Sequence, residues 1–299
     1  DGACRSHYRG ESRYCGSKNA DHGRMRDLSG GFPGRYRAKD GRTSEIGYTL
    51  NMNCSEQEII KAAGLIVNAK HLVAFTGAGI SVESGIPAFR GEGGIWSQHD
   101  PSILDIDYFC SHPSESWQAI SKIFYQYFQN ALPNPAHYLL ARLEKKGMLR
   151  TVITQNIDNM HHEAGNSKVI EYHGNSKWLK CSHCGERYEI SGIPLDTLPP
   201  RCKDDSEVLK PDFVFFGEGI PPDAASRSVE EISKADVLLI IGSTGEVMPA
   251  GMLPSIAKSN GATVIEINPC RSSFTESMTD LFLQGPAAEV SQELEGYLF

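Results

Sequence analysis

The sequence predicts an α/β fold, a doubly wound, Rossmann-like parallel sheet with a small helical subdomain and a zinc-ribbon insertion. Three observations carry this prediction. First, several segments are continuous apolar runs, such as Val237-Leu238-Leu239-Ile240-Ile241, with helical patterns between them. Strands that are apolar on both faces belong to parallel sheets covered by helices on each side. Second, the run His71-Leu72-Val73-Ala74-Phe75 leads directly into Thr76-Gly77-Ala78-Gly79-Ile80-Ser81. Two glycines around one small residue let the backbone turn sharply and let its N–H groups approach a phosphate where a Cβ would collide. A doubly wound sheet opens a dinucleotide site in this way. By itself the segment fits a plain tight turn equally well. It is not a full G-x-G-x-x-G, and no acidic residue stands at the tip of a second strand to hold a ribose. Third, the stretch 177–211 lacks apolar runs and gathers Cys181, Cys184 and Cys202, as a metal-stapled insertion would.

The elements follow in order. Residues 1–50 carry ten Lys and Arg against six Asp and Glu and show no sustained helical or strand period. Such a segment cannot build a packed core and is expected to be a disordered extension ending near residue 53. A mitochondrial presequence would be amphipathic and poor in acids, and this segment is neither. Met52 stands just before the first helix as a candidate natural start. That helix opens on Ser55-Glu56-Gln57-Glu58, a capping box, and continues with a face of Ile59, Ile60, Ala63, Leu65, Ile66 and Ala69. From about 91 to 133 the pattern is helical and rich in large apolar residues, among them Ile103, Ile106, Tyr108, Phe109, Trp117, Ile120, Ile123, Phe124, Tyr127 and Phe128. They read as the core of a small subdomain, a few of them also walling a pocket. Asn134 caps a helix bearing His137, Leu139, Leu140, Leu143 and Met148, with Gly147 near its end. Strands at 150–154 and 169–172, a helix at 222–234, the strand 237–241, a helix at 249–259 and a strand at 263–267 complete the alternation.

Composition narrows the function classes. With 40% hydrophobic and 22% charged residues over 299 positions, the chain can fill a core. No uninterrupted apolar run approaches a membrane span, so membrane insertion is not expected. A net charge of −8 argues against general nucleic-acid binding. Five of the eight cysteines are scattered and three are bunched. That pattern points to metal and a reducing compartment, taken as cytoplasmic with the nucleus left open.

Further motifs come in a fixed order. Thr154-Gln155-Asn156-Ile157-Asp158 and His173-Gly174-Asn175 each follow a predicted strand. The pair Cys181-x-x-Cys184, the segment Val214-Phe215-Phe216-Gly217-Glu218, Gly242-Ser243-Thr244 and Ile267-Asn268-Pro269 come after them. Polar residues at strand ends either pair internally or meet a ligand; Asp158 also suits the role of cap for the helix through Met160. Together with Gly85-Ile86-Pro87-Ala88-Phe89-Arg90 after the glycine turn, this set resembles the sirtuins, the NAD-dependent protein lysine deacylases, from about Ser55 to the C-terminus.

The resemblance implies a catalytic domain over 54–299 that consumes NAD and acts on acylated-lysine proteins or peptides. His173 would be the general base and Asn156 a catalytic partner. Gly77, Ala78, Gly79, Ser81, Phe89, Arg90, Gln155, Asn156, Asp158, Gly242, Ser243, Asn268, Pro269 and Ala288 would bind NAD. Within that set Phe89 shields the reacting ribose carbon, Arg90 meets a phosphate or ribose, and Asn268 and Pro269 face the adenosine half. Val214, Phe216, Gly217, Glu218 and Val247 would hold the substrate, a peptide adding a strand between the 214–218 segment and the 244–247 loop. Sirtuins that remove acidic acyl groups carry Tyr-x-x-Arg in the helical subdomain; here Tyr125-x-x-Phe128 has no such Arg, which implies neutral acyl groups. ADP-ribosyl transfer or NAD hydrolysis in the same pocket is the alternative, and a non-catalytic NAD or acyl-lysine binding module the third.

The metal site departs from the family. A zinc ribbon joins two C-x-x-C knuckles, and here Asp205 stands where the fourth cysteine belongs. Three readings stay open: Cys181, Cys184, Cys202 and Asp205 around structural zinc, His183 as an alternative donor, or a metal-free ribbon held by packing.

Overall fold

A computed structural model describes residues 52–299 except 91–92, 126–127 and 129. The predicted extension up to residue 51, and Tyr127 of the aromatic set, lie outside the described residues. The first strands are β1 (Leu72–Thr76), β2 (Leu149–Thr154) and β3 (Val169–Glu171). With β7 (Val237–Ile241), β8 (Thr263–Asn268) and β9 (Leu281–Gln284) they form one six-stranded sheet in the order β3-β2-β1-β7-β8-β9, with every pairing parallel. This is the strand order of a doubly wound dinucleotide fold, with its direction reversing between β1 and β7.

Helices cover both faces. On one, α1 (Glu56–Asn68), α5 (Pro135–Lys145) and α10 (Ala287–Leu298) bury Ile59, Ile66, Leu139, Leu140, Leu143, Val290 and Leu294 against the sheet. On the other, α7 (Pro222–Lys234), α8 (Leu253–Ser259) and α9 (Ser273–Ser277) pack Ile232, Leu253, Ala257 and Phe274 against Val73, Phe75, Leu238 and Ile240. The two capping predictions hold. Ser55 accepts from the Glu58 amide while Glu58 reaches back, and Asn134 caps α5 with Pro135 in its first turn. On α1 the face differs at one position: Ile60 is 48% exposed and Ala62 is buried in its place. Met52 packs on the first core, and the Asn53 amide donates to the Gln284 carbonyl at 2.8 Å. The boundary drawn after residue 53 therefore falls inside the folded unit.

The two insertions share one core, which the sequence did not suggest. The helical one comprises α2 (Ile95–Gln98), α3 (Ile106–Ser111), α4 (Pro113–Ile120) and a π-helical turn, Ser121–Tyr125. The cysteine-bearing one is a three-stranded antiparallel sheet of β4 (Gly174–Cys181), β5 (Arg187–Glu189) and β6 (Leu209–Phe213), in the order β5-β4-β6. Trp117, Phe109 and Phe124 from the helices pack with Leu179, Leu209, Phe213 and Phe215, and the Trp117 indole donates to the Leu209 carbonyl at 2.8 Å. No helix among the described residues is long and apolar enough to cross a membrane.

Candidate active site

The site lies at the carboxyl ends of β1, β2 and β7, where the strand order reverses. Gly77 follows β1 and Gly242 follows β7, and the two turns interlock. A Cβ on Gly77 would come within 2.7 Å of the Gly242 carbonyl oxygen, and one on Gly79 within 2.6 Å of the Gly242 Cα. Gly242 itself has φ +65 and faces the Ile80 amide. The glycine pattern is thus required by turn-on-turn packing. The amides of Gly77 and Gly79 already donate to the carbonyls of Ile241 and Gly242, so phosphate contact through those two N–H groups, as read from sequence, is not what the structure offers.

Behind this turn a 3-10 segment, Ala78–Ser84, carries Ser81 into a buried polar cluster. The Ser81 hydroxyl donates to Asp158 Oδ2 at 2.6 Å, and the Asn156 amide donates to Ser81 Oγ and to Asp158, both at 3.2 Å. Asp158 Oδ1 accepts from the Met160 amide at 3.0 Å, so the capping role is present beside the network role. Burial pushes the Asp158 carboxyl above its ordinary value against these donors. Ser81, Asn156 and Asp158 form the polar floor of a narrow cleft, open to solvent, whose apolar walls include Ile86, Phe89, Phe124 and Phe128.

His173 stands where the two lobes join, between β3 and β4. Its carbonyl accepts from the Val214 amide, and Gly174 after it has φ +77 with Asp212 and Phe213 too close for any Cβ. His173 Nδ1 lies 3.0 Å from the Gln155 carbonyl oxygen. A carbonyl only accepts, so Nδ1 carries the proton and Nε2 keeps its lone pair. Burial lowers the imidazole pKa below its usual value, and the bond to Gln155 offsets this only in part. The neutral, proton-accepting form is therefore favoured even below the ordinary value of about 6.5. Gln155 also donates through Nε2 to Ser243 Oγ at 2.8 Å, and Asn268 Nδ2 donates to the Ser243 carbonyl at 3.0 Å. The ends of β2, β7 and β8 are joined in one hydrogen-bonded chain.

The Sir2 family model matches residues 77–249. NAD-dependent protein deacylase 2 of Pyrobaculum aerophilum is 42% identical over 240 residues, covering 79% of this chain and 94% of that protein. NAD-dependent protein deacylase 1 of Archaeoglobus fulgidus is 40% identical, covering 77% and 93%. The chain belongs to the Sir2 family. Among solved structures, an ADP-ribose complex of a Sir2 homologue superposes with a TM-score of 0.76 at 38% identity, covering 80% of this chain and 95% of that one. A Sir2 complex with a deacetylated p53 peptide and 3′-O-acetyl ADP-ribose gives 0.76 at 35%, covering 80% and 98%.

Other residues of the Sir2 pattern are placed as follows. Arg90 lies 3.8 Å from Glu246 across the cleft mouth, and Phe89 stacks obliquely on Trp96. The Ala288 amide donates to the Glu83 carboxylate at 2.6 Å, so its N–H is engaged at the start of α10. Phe216 donates to the Leu104 carbonyl and accepts from the Ile106 amide. In an extended strand alternate residues face one way, so Val214 and Phe216 pair inward. On the opposite edge the Phe215 amide is held by the Glu218 carboxylate, which also binds Lys210 at 2.9 Å. Phe216 beside Gly217 is 44% exposed. The Val247 carbonyl already accepts from Gly251.

The cysteine cluster repeats one backbone turn twice. The amides of Gly185 and Ser206 donate to the carbonyls of Cys181 and Cys202, and both residues have positive φ, +79 and +61. Asp205 thus sits in a knuckle of the same shape as the one holding Cys184. One donor atom from each of Cys181, Cys184, Cys202 and Asp205 lies within 4.8 Å of all the others. Cys184 and Cys202 sulfurs are 3.7 Å apart, and Cys181 Sγ is 3.3 Å from Asp205 Oδ2. Zinc–sulfur bonds of about 2.3 Å and zinc–oxygen bonds of about 2.0 Å require tetrahedral edges of about 3.8 and 3.5 Å, close to these two separations, so the cluster could hold a metal ion. His183 is 75% exposed and bonds Asp205 Oδ2 at 3.0 Å, which places it behind the carboxylate rather than among the donors.

Sequence reasoning missed the histidines beneath the site. His161 is buried, with Nε2 2.9 Å from Thr76 Oγ1. His137 accepts at Nδ1 from the Asn134 amide, which turns Nε2–H toward Ser81 Oγ at 3.4 Å. Burial drives His137 down to about 3 and His161 well below its ordinary value. Each stays neutral in the fold but charges when unfolded below pH 6.5. Stability is therefore complete above about 6.5 and lost as pH falls through the window toward 3, at up to about 1.4 kcal/mol per pH unit for each group. His162, raised by its bond to Glu171, acts oppositely, its contribution vanishing as pH rises above its own value. Denaturant melts between pH 7 and 4 should show this loss, and His137→Gln should flatten it. A parallel slope in the variant would refute the assignment.

Proposed function

We propose that this chain is an NAD-dependent protein lysine deacylase for neutral acyl groups, with a structural zinc in its ribbon and its catalytic unit over about 52–299. The His173 geometry carries this reading. It is a neutral imidazole with Nε2 available, set by the Gln155 carbonyl one residue from Asn156 on the cleft floor. NAD and one water are consumed with acyl-lysine to give nicotinamide, lysine and O-acyl-ADP-ribose. Asn156, Asp158 and Ser81 would orient the nicotinamide amide and its ribose, and Phe89 would exclude water from the reacting carbon. His173 Nε2 would take the ribose hydroxyl proton. Ser243, Asn268, Pro269 and Ala288 would line the adenosine half, and Val214, Phe216, Gly217, Glu218 and Val247 the peptide side. Tyr125 supports the choice of neutral acyl chains: it is buried, stacked on Trp117, and its phenol donates to the Ser176 carbonyl at 3.2 Å. With Phe128 in the cleft wall, nothing at these two positions meets an acyl carboxylate. Cys181, Cys184, Cys202 and Asp205 would hold zinc for the ribbon alone. A reducing, cytoplasmic setting suits cysteines that serve as metal ligands.

The test is incubation with NAD and acetyl-lysine peptide, following both products by mass spectrometry. Transfer of ADP-ribose onto protein, or NAD loss without peptide deacylation, would support the rival enzymes instead. Chain beginning at Met52 should match the full chain in this assay and in melting temperature, because residues 1–50 lack an apolar period. An insoluble or inactive truncation would contradict that boundary.

A further inference from the structure

Strand β8 carries one carboxylate, Glu266, between Ile265 and Ile267, and it is 0% exposed. Four side chains donate to it. Oε1 accepts from Asn268 Nδ2 at 2.8 Å and Ser272 Oγ at 2.5 Å; Oε2 accepts from Thr275 Oγ1 at 2.8 Å and Thr279 Oγ1 at 2.7 Å. All four partners are neutral donors, a set suited to an acceptor-only group. An acid in the middle of an otherwise apolar strand costs stability unless every lone pair is engaged, so its presence calls for a purpose.

Asn268 supplies it. Glu266 and Asn268 are two residues apart, hence on the same face of β8. The Asn268 amide nitrogen gives its hydrogens to Glu266 Oε1 and to the Ser243 carbonyl. That fixes which end of the amide is which, so Oδ1 is the end directed away from those two acceptors. A dinucleotide fold usually sets an acid against the ribose directly. Here the acid stands one residue pair back from the strand end.

We infer that Glu266 is a positioning residue for the adenosine half of the NAD site, acting through Asn268 and Ser243. The inference rests on the NAD reading given above. A glutamine at 266 replaces one of the two acceptor oxygens by an NH2 group, and where that group faces Asn268 Nδ2 two donors meet, whereas the Ser and Thr hydroxyls can turn to accept. Asn268 then turns its amide, and the acceptor offered to adenosine is lost.

Calorimetry with NAD and steady-state kinetics on the full chain separate the two layers. Wild-type protein that fails to bind NAD would sink the underlying reading. Given wild-type binding, Glu266→Gln should raise the KM for NAD and the Kd for ADP-ribose about tenfold, the worth of one oriented hydrogen bond. Its kcat and its KM for acyl-peptide should stay within about twofold. In an Asn268→Ala background the same substitution should add nothing to the NAD effect. Thr279→Val removes a donor from Oε2 and leaves Oε1 with Asn268, so it should lower the melting temperature without moving the NAD constants. If Glu266→Gln does not fold, Glu266→Asp, which keeps the charge and withdraws it by one methylene, carries the same expectation. Unchanged NAD constants in the folded variant overturn the inference. So does a loss in kcat and both KM values that simply follows the melting temperature.

Discussion

Replacing His173 by alanine is expected to reduce deacylation about a thousandfold, within the range for removing a positioned general base. The fold should survive. The His173 contact that joins the lobes, its carbonyl accepting from the Val214 amide, is backbone and remains in the variant. The lost side-chain bond to the Gln155 carbonyl is worth about 1 kcal/mol. NAD binding should persist, since Ser81, Asn156 and Asp158 hold one another without the imidazole. The pH profile gives a second check. Burial holds the His173 pKa below its ordinary value, so the acid limb of kcat/KM for the free enzyme should lie under pH 6.5, with activity rising as pH increases through it. Near-normal turnover in the variant, or an acid limb well above 6.5 for the wild type, would remove His173 from the proposed role.

The second large effect concerns Asp205. Purified protein should contain close to one zinc per chain. Asp205→Ala leaves three thiolates around the ion, and the zinc should be lost at a far lower chelator concentration. Asp205→Cys restores the softer four-sulfur set in a turn already shaped for it, and should retain zinc more tightly than the wild type. Metal binding supplies folding free energy to small ribbons, and this ribbon shares its core with the helical insertion through Trp117, Phe124, Leu179 and Leu209. The alanine variant should therefore melt earlier and lose activity as that shared core loosens. Metal analysis and melting curves on the three proteins decide the matter. Fully active wild type without zinc would leave Cys181, Cys184 and Cys202 held by packing alone.

Much of the fold was legible because strand burial writes itself into composition. The runs at 72–76, 151–154 and 237–241 are buried on both faces, and both caps are visible as Ser55-x-x-Glu58 and Asn134-Pro135. The last strand and helix were not read. Leu281–Gln284 is only four residues long, and α10 begins after Pro286 without a side-chain cap. The aromatic stretch of the helical insertion gave no hint that its core is completed by β4 and β6, since contacts between segments this far apart leave no local period.

At the site, residue identities came from the sequence and their states did not. Asn156, Asp158 and His173 stand out as polar groups at strand ends. The tautomer of His173 depends on the Gln155 carbonyl, 18 residues away, and Asp158's environment on Ser81, 77 residues away. The two glycines after β1 suggest room for a phosphate, whereas the space they leave is filled by the turn at Gly242. Glu266 is buried within β8 and bonded to Asn268, and no local pattern singles it out. His137 and His161 looked like ordinary helix residues until burial made both neutral. Sequence by itself determined the strand order's building blocks, the family and the kinds of side chain available for chemistry, because each rests on local pattern. The tertiary structure decided which donors face which acceptors, since hydrogen-bond direction and desolvation arise only where distant strand ends meet.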